Sequence, residues 1–323
     1  MMETDSRSNG WYRTACHWAR QLLPFLGLAL LVSFLAWRVP DTFLKPGNLE
    51  RLFCRSSVMV LIAVGMTFVM LTGHIDLSVG SMMALAGMAG TGALSHNAPA
   101  WLAVVVGMAV GLGCGVVNAL LTTQLRIPAF IATLGTMGVY RGLALLSTDA
   151  LPIYLPEPFN RLAAGSVLRV PIPVWMYAFV CLMAAYALRR TVFGRHVYAL
   201  GSNREAAFHA GIRINMVTVT VFAILGALTG LAGMVEAARV VSGQPTAGEG
   251  YELHVIAAVV IGGGSLSGGE GSILGTLAGA FLMAVLANGC VLLDISPHLQ
   301  RVVIGVLIVL AVALDQLLRR RLS

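Results

Sequence analysis

Charge is what this chain has least of. Only 11% of its 323 residues are Asp, Glu, Lys or Arg, against roughly 25% in a soluble domain. Hydrophobic residues make up 58% and the mean hydropathy is +0.84, so an aqueous globular fold is excluded and an all-α, polytopic membrane protein is indicated. Also missing are a GxxxxGK[ST] loop to cradle phosphates, an HExxH pair and any Ser, His and Asp set in a nucleophile motif. Those absences argue against an enzyme. The five cysteines, at 16, 54, 114, 181 and 290, form no CxxC pair and no His/Cys spacing suited to zinc. A formal net charge of +7 would suit nucleic acid, but the arginines fall between apolar runs rather than on one face. The positive-inside bias of membrane loops accounts for them, and no nucleic-acid partner is expected.

What is present is a succession of about ten apolar runs, at 21–38, 56–72, 77–94, 100–123, 128–147, 172–188, 214–234, 253–262, 270–293 and 298–318. Crossing the hydrocarbon core takes about 20 residues. The eighth run is half a span, which predicts a broken or re-entrant helix. Ahead of the first, Arg7, Arg13 and Arg20 resemble a signal peptide's basic region, but no small-x-small cleavage site follows, so a retained helix is expected. Ten crossings put the basic N-terminal tail (1–20), the loop 189–213 and the basic tail (319–323) on one side, which the positive-inside rule makes the cytoplasm. The membrane domain, 21–318, divides into halves at roughly 21–147 and 172–318. The loop 148–171 between them carries Pro152, Pro156, Pro158 and Pro171, too many for a continuous helix, and is expected outside as a docking or lid surface. The segment 236–252 is also expected outside, with Glu236 and Arg239 spaced to pair.

Within the apolar stretch Leu61–Gly90 stands one acidic side chain, Asp76. A charge inside a bilayer costs roughly 2.5–3.5 kcal/mol on insertion scales, and so faces a bundle interior, a water path or a partner. The same carboxylate also reads as a cap for the following helix, and the two readings are compatible. Far downstream the pattern returns. With Leu266 under Leu77, Gly73/Gly262, Ser78/Ser267 and Gly80/Gly269 coincide. An apolar run, a Gly-rich break and a second apolar run in each half predict an internal repeat of broken helices. Gly73, Gly80, Gly262 and Gly269 are the hinge candidates, and Asp76, Ser78, Ser265 and Ser267 the candidates for lining a substrate path. Elsewhere Gly107, Gly111, Gly113 and Gly115, and Gly226, Gly230 and Gly233, predict close helix packing.

The basic loop holds one patterned stretch, in which Asn203 suits an N-cap, Glu205 to Ala210 a short helix and Gly211 its end. Such a helix lies on the membrane surface or fills a socket on a cytoplasmic partner.

Four motifs in order carry a resemblance: GHIDLSVGS (Gly73–Ser81), RIPAFIATLGTMGVYRGLALL (Arg126–Leu146), GRHVYALGSNREAAFHAGI (Gly194–Ile212) and YELHVIAAVVIGGGSLSGGEGSILGT (Tyr251–Thr276). Over about 55–318 the chain resembles the permease subunits of ATP-binding-cassette sugar importers, in the branch for ribose, xylose, rhamnose and autoinducer-2. The resemblance implies a bacterial inner-membrane protein with both termini cytoplasmic, carrying a ribose-like sugar or, alternatively, autoinducer-2. It implies partners: a second permease copy or paralogue, ATPase subunits that use ATP and Mg, and an external sugar-binding protein. The chain itself would bind no cofactor and no metal. By the same likeness Asn203, Glu205, Ala206, Ala207 and Gly211 belong to the element that meets the ATPase. His74 and His254 stand where the family pattern usually has Gly and Asp. The run Leu266–Glu270 nearly spells the LSGGQ signature of the ATPases, yet it sits in an apolar context with no phosphate loop to serve. An ion-coupled secondary transporter is the alternative class, though it usually needs more intramembrane ionisable groups than Asp76.

Overall fold

Each of the ten apolar runs folds as a helix, and Pro, Gly or Asn stands at most of the turns between them. The computed structural model describes residues 5–155 and 157–320. Its first half runs α1 (Asp5–Arg38), α2 (Pro40–Phe43), α3 (Pro46–Leu71), α4 (Val79–Ser95), α5 (Ala100–Thr123) and α6 (Ala129–Leu146). A linking segment follows with β1 (Ile153–Tyr154), a 3-10 turn (Glu157–Asn160), α7 (Arg161–Ala164), β2 (Ser166–Val167) and β3 (Val170–Pro171). The second half runs α8 (Ile172–Arg190), α9 (Val192–Ser202), α10 (Arg204–His209), α11 (Ile214–Val240), β4 (Ser242–Gly243), α12 (Tyr251–Ile261), α13 (Ile273–Leu292) and α14 (Pro297–Arg320). Six of these helices, α3, α5, α6, α8, α11 and α13, are long and apolar enough to cross a membrane. Helix α1 already begins at Asp5, inside the stretch set aside from sequence as a tail; residues 1–4 and 321–323 of the two predicted tails lie outside the described residues.

Helix α3 is the centre of the bundle. From Val58 to Leu71 its side chains are buried on nearly every face, as suits a helix that is apolar all round. It packs against α8, α9, α11, α12 and α13. Two polar ties fix it to α13: Asn48 and Asn288 exchange amide hydrogen bonds of 3.3 and 3.1 Å at one end, and the Thr67 and Thr276 hydroxyls meet at 2.7 Å at the other. The two helices are therefore antiparallel. Helix directions bring the start of α1 and the end of α14 toward the end of the bundle that carries α9 and α10.

The predicted glycine packing is realised between α5 and α11. A Cβ at Gly107, Gly111 or Gly115 would strike Met234, Gly226 or Phe222, and one at Gly226 or Gly230 would strike the α5 backbone. Such approach lets dispersion act between whole backbones where lipid supplies no hydrophobic drive. Gly113 is the exception and faces open space.

The segment expected outside, 236–252, is corrected by the structure. Glu236 and Arg239 pair at 2.6 and 2.9 Å as their spacing suggests, and β4 pairs with β1 at one end of the bundle. From there the chain turns back inward along α4, with Gly243 against Thr91 and Gly248 against Gly80 and Met83. Helix α12 therefore starts inside the bundle. Its 11 residues rise about 16 Å, half of a bilayer core.

Candidate functional site

Two helix breaks meet at the root of α9 and α10, and that junction is the site. The first break follows α3, where Gly73 takes φ +76°. Gly73 N donates to Met70 O and His74 N to Val69 O, the paired bonds of a Schellman end. The chain then climbs to α4 through Asp76. Its Oδ1 accepts from Ser78 N at 2.8 Å and from Ser78 Oγ at 2.6 Å, and its Oδ2 accepts from Asn118 Nδ2 at 2.9 Å. The second Nδ2 hydrogen of Asn118 is directed at Ser78 Oγ, 2.8 Å away, while Asn118 Oδ1 accepts from Thr136 at 2.8 Å and lies 3.1 Å from the Tyr140 hydroxyl. Asp76, Ser78 and Asn118 are each 0% exposed. A carboxylate is thus held at the break by α5 and α6, with each of its oxygens given a donor, as burial requires.

The second break repeats the first with one shift. Helix α12 ends in the same pair of bonds, Gly263 N to Val260 O and Gly264 N to Val259 O, and Gly263 takes φ +85°. Gly262, the residue aligned with Gly73, is the C-cap at φ −68°. Ser265 then occupies the place of Asp76: its Oγ accepts from Ser267 N at 3.0 Å, as Asp76 accepts from Ser78 N. Sequence repeat and local geometry agree at Asp76/Ser265 and Ser78/Ser267 and part again after them, since α4 starts at Val79 whereas α13 starts only at Ile273. Gly80 lies within the first turn of α4, where a side chain would strike the Gly248 carbonyl and the Glu252 carboxylate. Gly269 takes φ +76° and its N–H donates to Leu71 O at 2.9 Å, so the two breaks are hydrogen-bonded to each other.

Helix α9 is rooted in that contact. Gly201 packs on the Leu71 carbonyl and on Gly269 N, Gly268 packs on Gly73 and Gly201, and the Tyr198 hydroxyl donates to Gly271 O at 2.8 Å. Beyond it Asn203 ends α9 and caps α10, its Oδ1 accepting from Ala206 N at 2.9 Å. Gly211, at φ +79°, closes the short helix. Only Ala207 of α10 is buried; Glu205, Ala206 and Phe208 face outward. An open groove of about 1270 Å³ lies beside α10, bounded by His74, Arg126, Phe130, Arg204, Arg213 and Met216. Exposed Phe130, Phe208 and Met216 beside three arginines make a surface with both apolar and ionic handles.

The re-entrant backbone from 242 to 250 has its own support, which the sequence did not reveal. Arg141 of α6 donates from Nη1 to Pro245 O at 2.7 Å and to Ala247 O at 2.9 Å, and the carboxylates of Glu249 and Glu252 reach it electrostatically. Carbonyls that no helix satisfies thereby acquire a charged donor, the condition for irregular backbone at membrane depth. Gly248 and Gly250, at φ +71° and +80°, turn this strand-like stretch into α12. Asp76 is therefore not the sole intramembrane ionisable group. The signals available in sequence were an Arg inside an apolar run and glycines two apart ahead of Tyr251.

Of the proposed path residues, the structure puts Asp76, Ser78 and Ser265 at 0% exposure and leaves Ser267 exposed at the meeting of the breaks. It brings Gly73, Ser267 and Gly269 together with α9, and it places the Asn203–Gly211 group on the adjoining surface.

Comparison with known proteins shows the family. The family described as "Branched-chain amino acid transport system / permease component" matches residues 48–312. The chain is 40% identical to the ribose import permease protein of Escherichia coli (strain K12) over 97% of its own length and 99% of that protein. It is 37% identical to the D-allose transport system permease protein of the same strain, over 92% and 91% of the two chains. To the autoinducer 2 import system permease protein of Photorhabdus luminescens it is 35% identical, over 83% and 81%.

Proposed function

This chain belongs to the branched-chain amino acid transport system / permease component family, and on that premise we propose that it is the membrane-spanning subunit of an ATP-binding-cassette importer. Its cargo is a monosaccharide, ribose-like or related, moved inward across the inner membrane with ATP hydrolysed by partner subunits. The names of its relatives, which import ribose, allose and autoinducer-2, support a small, hydroxyl-rich solute.

One observation carries the mechanism. The exposed helix α10 is joined through Asn203 to α9, whose last turn is wedged against both helix breaks. A cytoplasmic ATPase seated on α10 and the arginine-lined groove would move Gly201 and Ser202, and with them the Leu71–Gly269 bond between the breaks. Transport then needs only differential contacts in two arrangements of the bundle, with no bond chemistry in this chain. In this reading Asp76 and Ser78 hold the first break to α5 and α6, and Ser265 and Ser267 shape the second. The path runs beside these turns, and an external binding protein delivers the sugar at the opposite end. A second permease copy completes the passage.

The test is uptake of labelled D-ribose by liposomes containing this chain, its ATPase and its binding protein. ATP-dependent uptake is expected, and Glu205→Arg should abolish it while membrane insertion and thermal stability stay within error of wild type. Uptake driven by a proton or sodium gradient without ATP or partners would overturn the reading.

A further inference from the structure

Toward the end of the bundle opposite α9, a small cavity of about 200 Å³ lies between the middle of α4, the last two turns of α11 and the re-entrant stretch that begins at β4. It is below the roughly 300–1,000 Å³ of drug-sized sites, which leaves room for a single small solute. Four polar side chains line it: Glu236, Ser242, Gln244 and Thr246. The other lining residues are Met, Ala, Val and Gly, and no Lys, Arg or His is among them. Once internal bonds are counted, the chemistry left over is mixed. Glu236 accepts from Arg239 at each carboxylate oxygen, at 2.6 and 2.9 Å, which offsets its charge and leaves acceptor capacity on both oxygens. Gln244 gives one Nε2 hydrogen to Ser242 Oγ at 2.8 Å and keeps its second N–H and its carbonyl oxygen. The Thr246 hydroxyl has no hydrogen-bond partner among the described residues.

This inventory suits a neutral, hydroxyl-rich solute. Each sugar hydroxyl donates and accepts, so it needs both kinds of partner in one place. Met83, Ala84 and Val240 add an apolar wall for the C–H face of a ring. Both halves of the chain contribute, because α4 leads out of the first break and the re-entrant stretch leads through α12 into the second. Carriers built from repeats hold their solute where the broken helices of the two halves meet. We propose that this cavity holds the transported sugar part-way along its path, as a neutral monosaccharide whose hydroxyls are read by Glu236, Gln244 and Thr246. The proposal rests on the importer reading and gives its cargo a place. Toward the first break α4 and the re-entrant stretch close on each other, with Gly248 against Gly80 and Met83. Parting that contact, as a change at the breaks would do, opens the cavity inward.

The reporter is Val240→Cys, at a lining residue that is 39% exposed. The full-length permease carrying it is placed in phosphatidylcholine nanodiscs, and labelling of position 240 by a water-soluble thiol reagent is timed against D-ribose and D-allose. The chain without the substitution gives the background from Cys54 and the other native thiols. At least one of the two sugars should slow labelling saturably, with half-protection at millimolar concentration, since tight holding on a transport path slows release. Maltotriose, too large for the cavity, should not. Leu151→Cys, outside the lining, should label at one rate with or without sugar. Adding Gln244→Leu to Val240→Cys should raise the half-protecting concentration about 5-fold, the worth of one neutral hydrogen bond. Thr246→Val, at an exposed residue, should do the same and keeps the test decisive if Gln244→Leu disturbs Ser242. No slowing by either sugar, equal slowing by maltotriose, or protection untouched by both variants would overturn the proposal. Failure of the importer reading registers elsewhere, in the ATP dependence of uptake, which this labelling does not use.

Discussion

Replacing Asn118 by Leu probes the buried network at the first break. Among the described residues the Asn118 amide is the sole donor to Asp76 Oδ2, while Oδ1 keeps two donors from Ser78. Three neighbours survive the change: Thr136 retains Thr133 O at 3.2 Å, Tyr140 retains Cys114 O at 3.0 Å, and Ser78 Oγ retains Asp76. The loss therefore concentrates on one carboxylate oxygen. A buried polar group left unpaired costs about 1–3 kcal/mol, with charged groups at or above the upper end, so about 3 kcal/mol is expected, more than 100-fold in the folding equilibrium. Ser78→Ala removes a donor from an oxygen that keeps another and should cost about 1 kcal/mol. The assay is unfolding in mixed detergent micelles, followed by labelling of the buried thiol of Cys114 on α5. Adding Asp76→Asn to Asn118→Leu should restore part of the stability, because a neutral amide is cheaper to bury unpaired. If Asn118→Leu unfolds with the wild type, Asp76 must be reaching water, and the network does not hold the break.

Two further variants test the parts that support the site. Arg141→Met frees the Pro245 and Ala247 carbonyls at a cost of about 2 kcal/mol for a charged donor; amide exchange from 242 to 250 should rise while exchange in α3 stays slow. Gly226→Leu drives a side chain into the Gly111 carbonyl and should lower stability by about 1–3 kcal/mol through overpacking, whereas Gly113→Leu, which faces open space, should leave thermal unfolding unchanged.

Much of this architecture was legible in the chain because bilayer thickness and apolar content fix where helices run. All ten runs fold as helices, and the caps at Asn203 and Gly211 follow from local chemistry that needs no tertiary partner. The pairing of Glu236 with Arg239 follows from spacing alone. Other features depend on which helices become neighbours, and periodicity does not encode that. Asn118 looks like an ordinary polar residue in α5 until α4 and α6 bring Asp76, Thr136 and Tyr140 to its amide. The stretch Ser242–Gly250 has the composition of an exposed loop, and its position along α4 is explained by the carbonyl clamp from Arg141 together with the close glycine contacts at Gly243 and Gly248. The repeat was visible, but the one-residue shift between Gly262 and Gly263 was not, since adjacent glycines hide which one takes the left-handed conformation.

Helix α10 is the proposed contact through which a partner's work enters the bundle. The most direct test is cross-linking to the ATPase subunit from single cysteines introduced by Glu205→Cys and, as a control at the opposite end, Leu151→Cys, in inverted membrane vesicles. A product from position 205 that changes in yield when ATP is added, with none from position 151, is predicted. No product from position 205, or modification of that cysteine by an impermeant reagent applied from the outer face of intact cells, would contradict it.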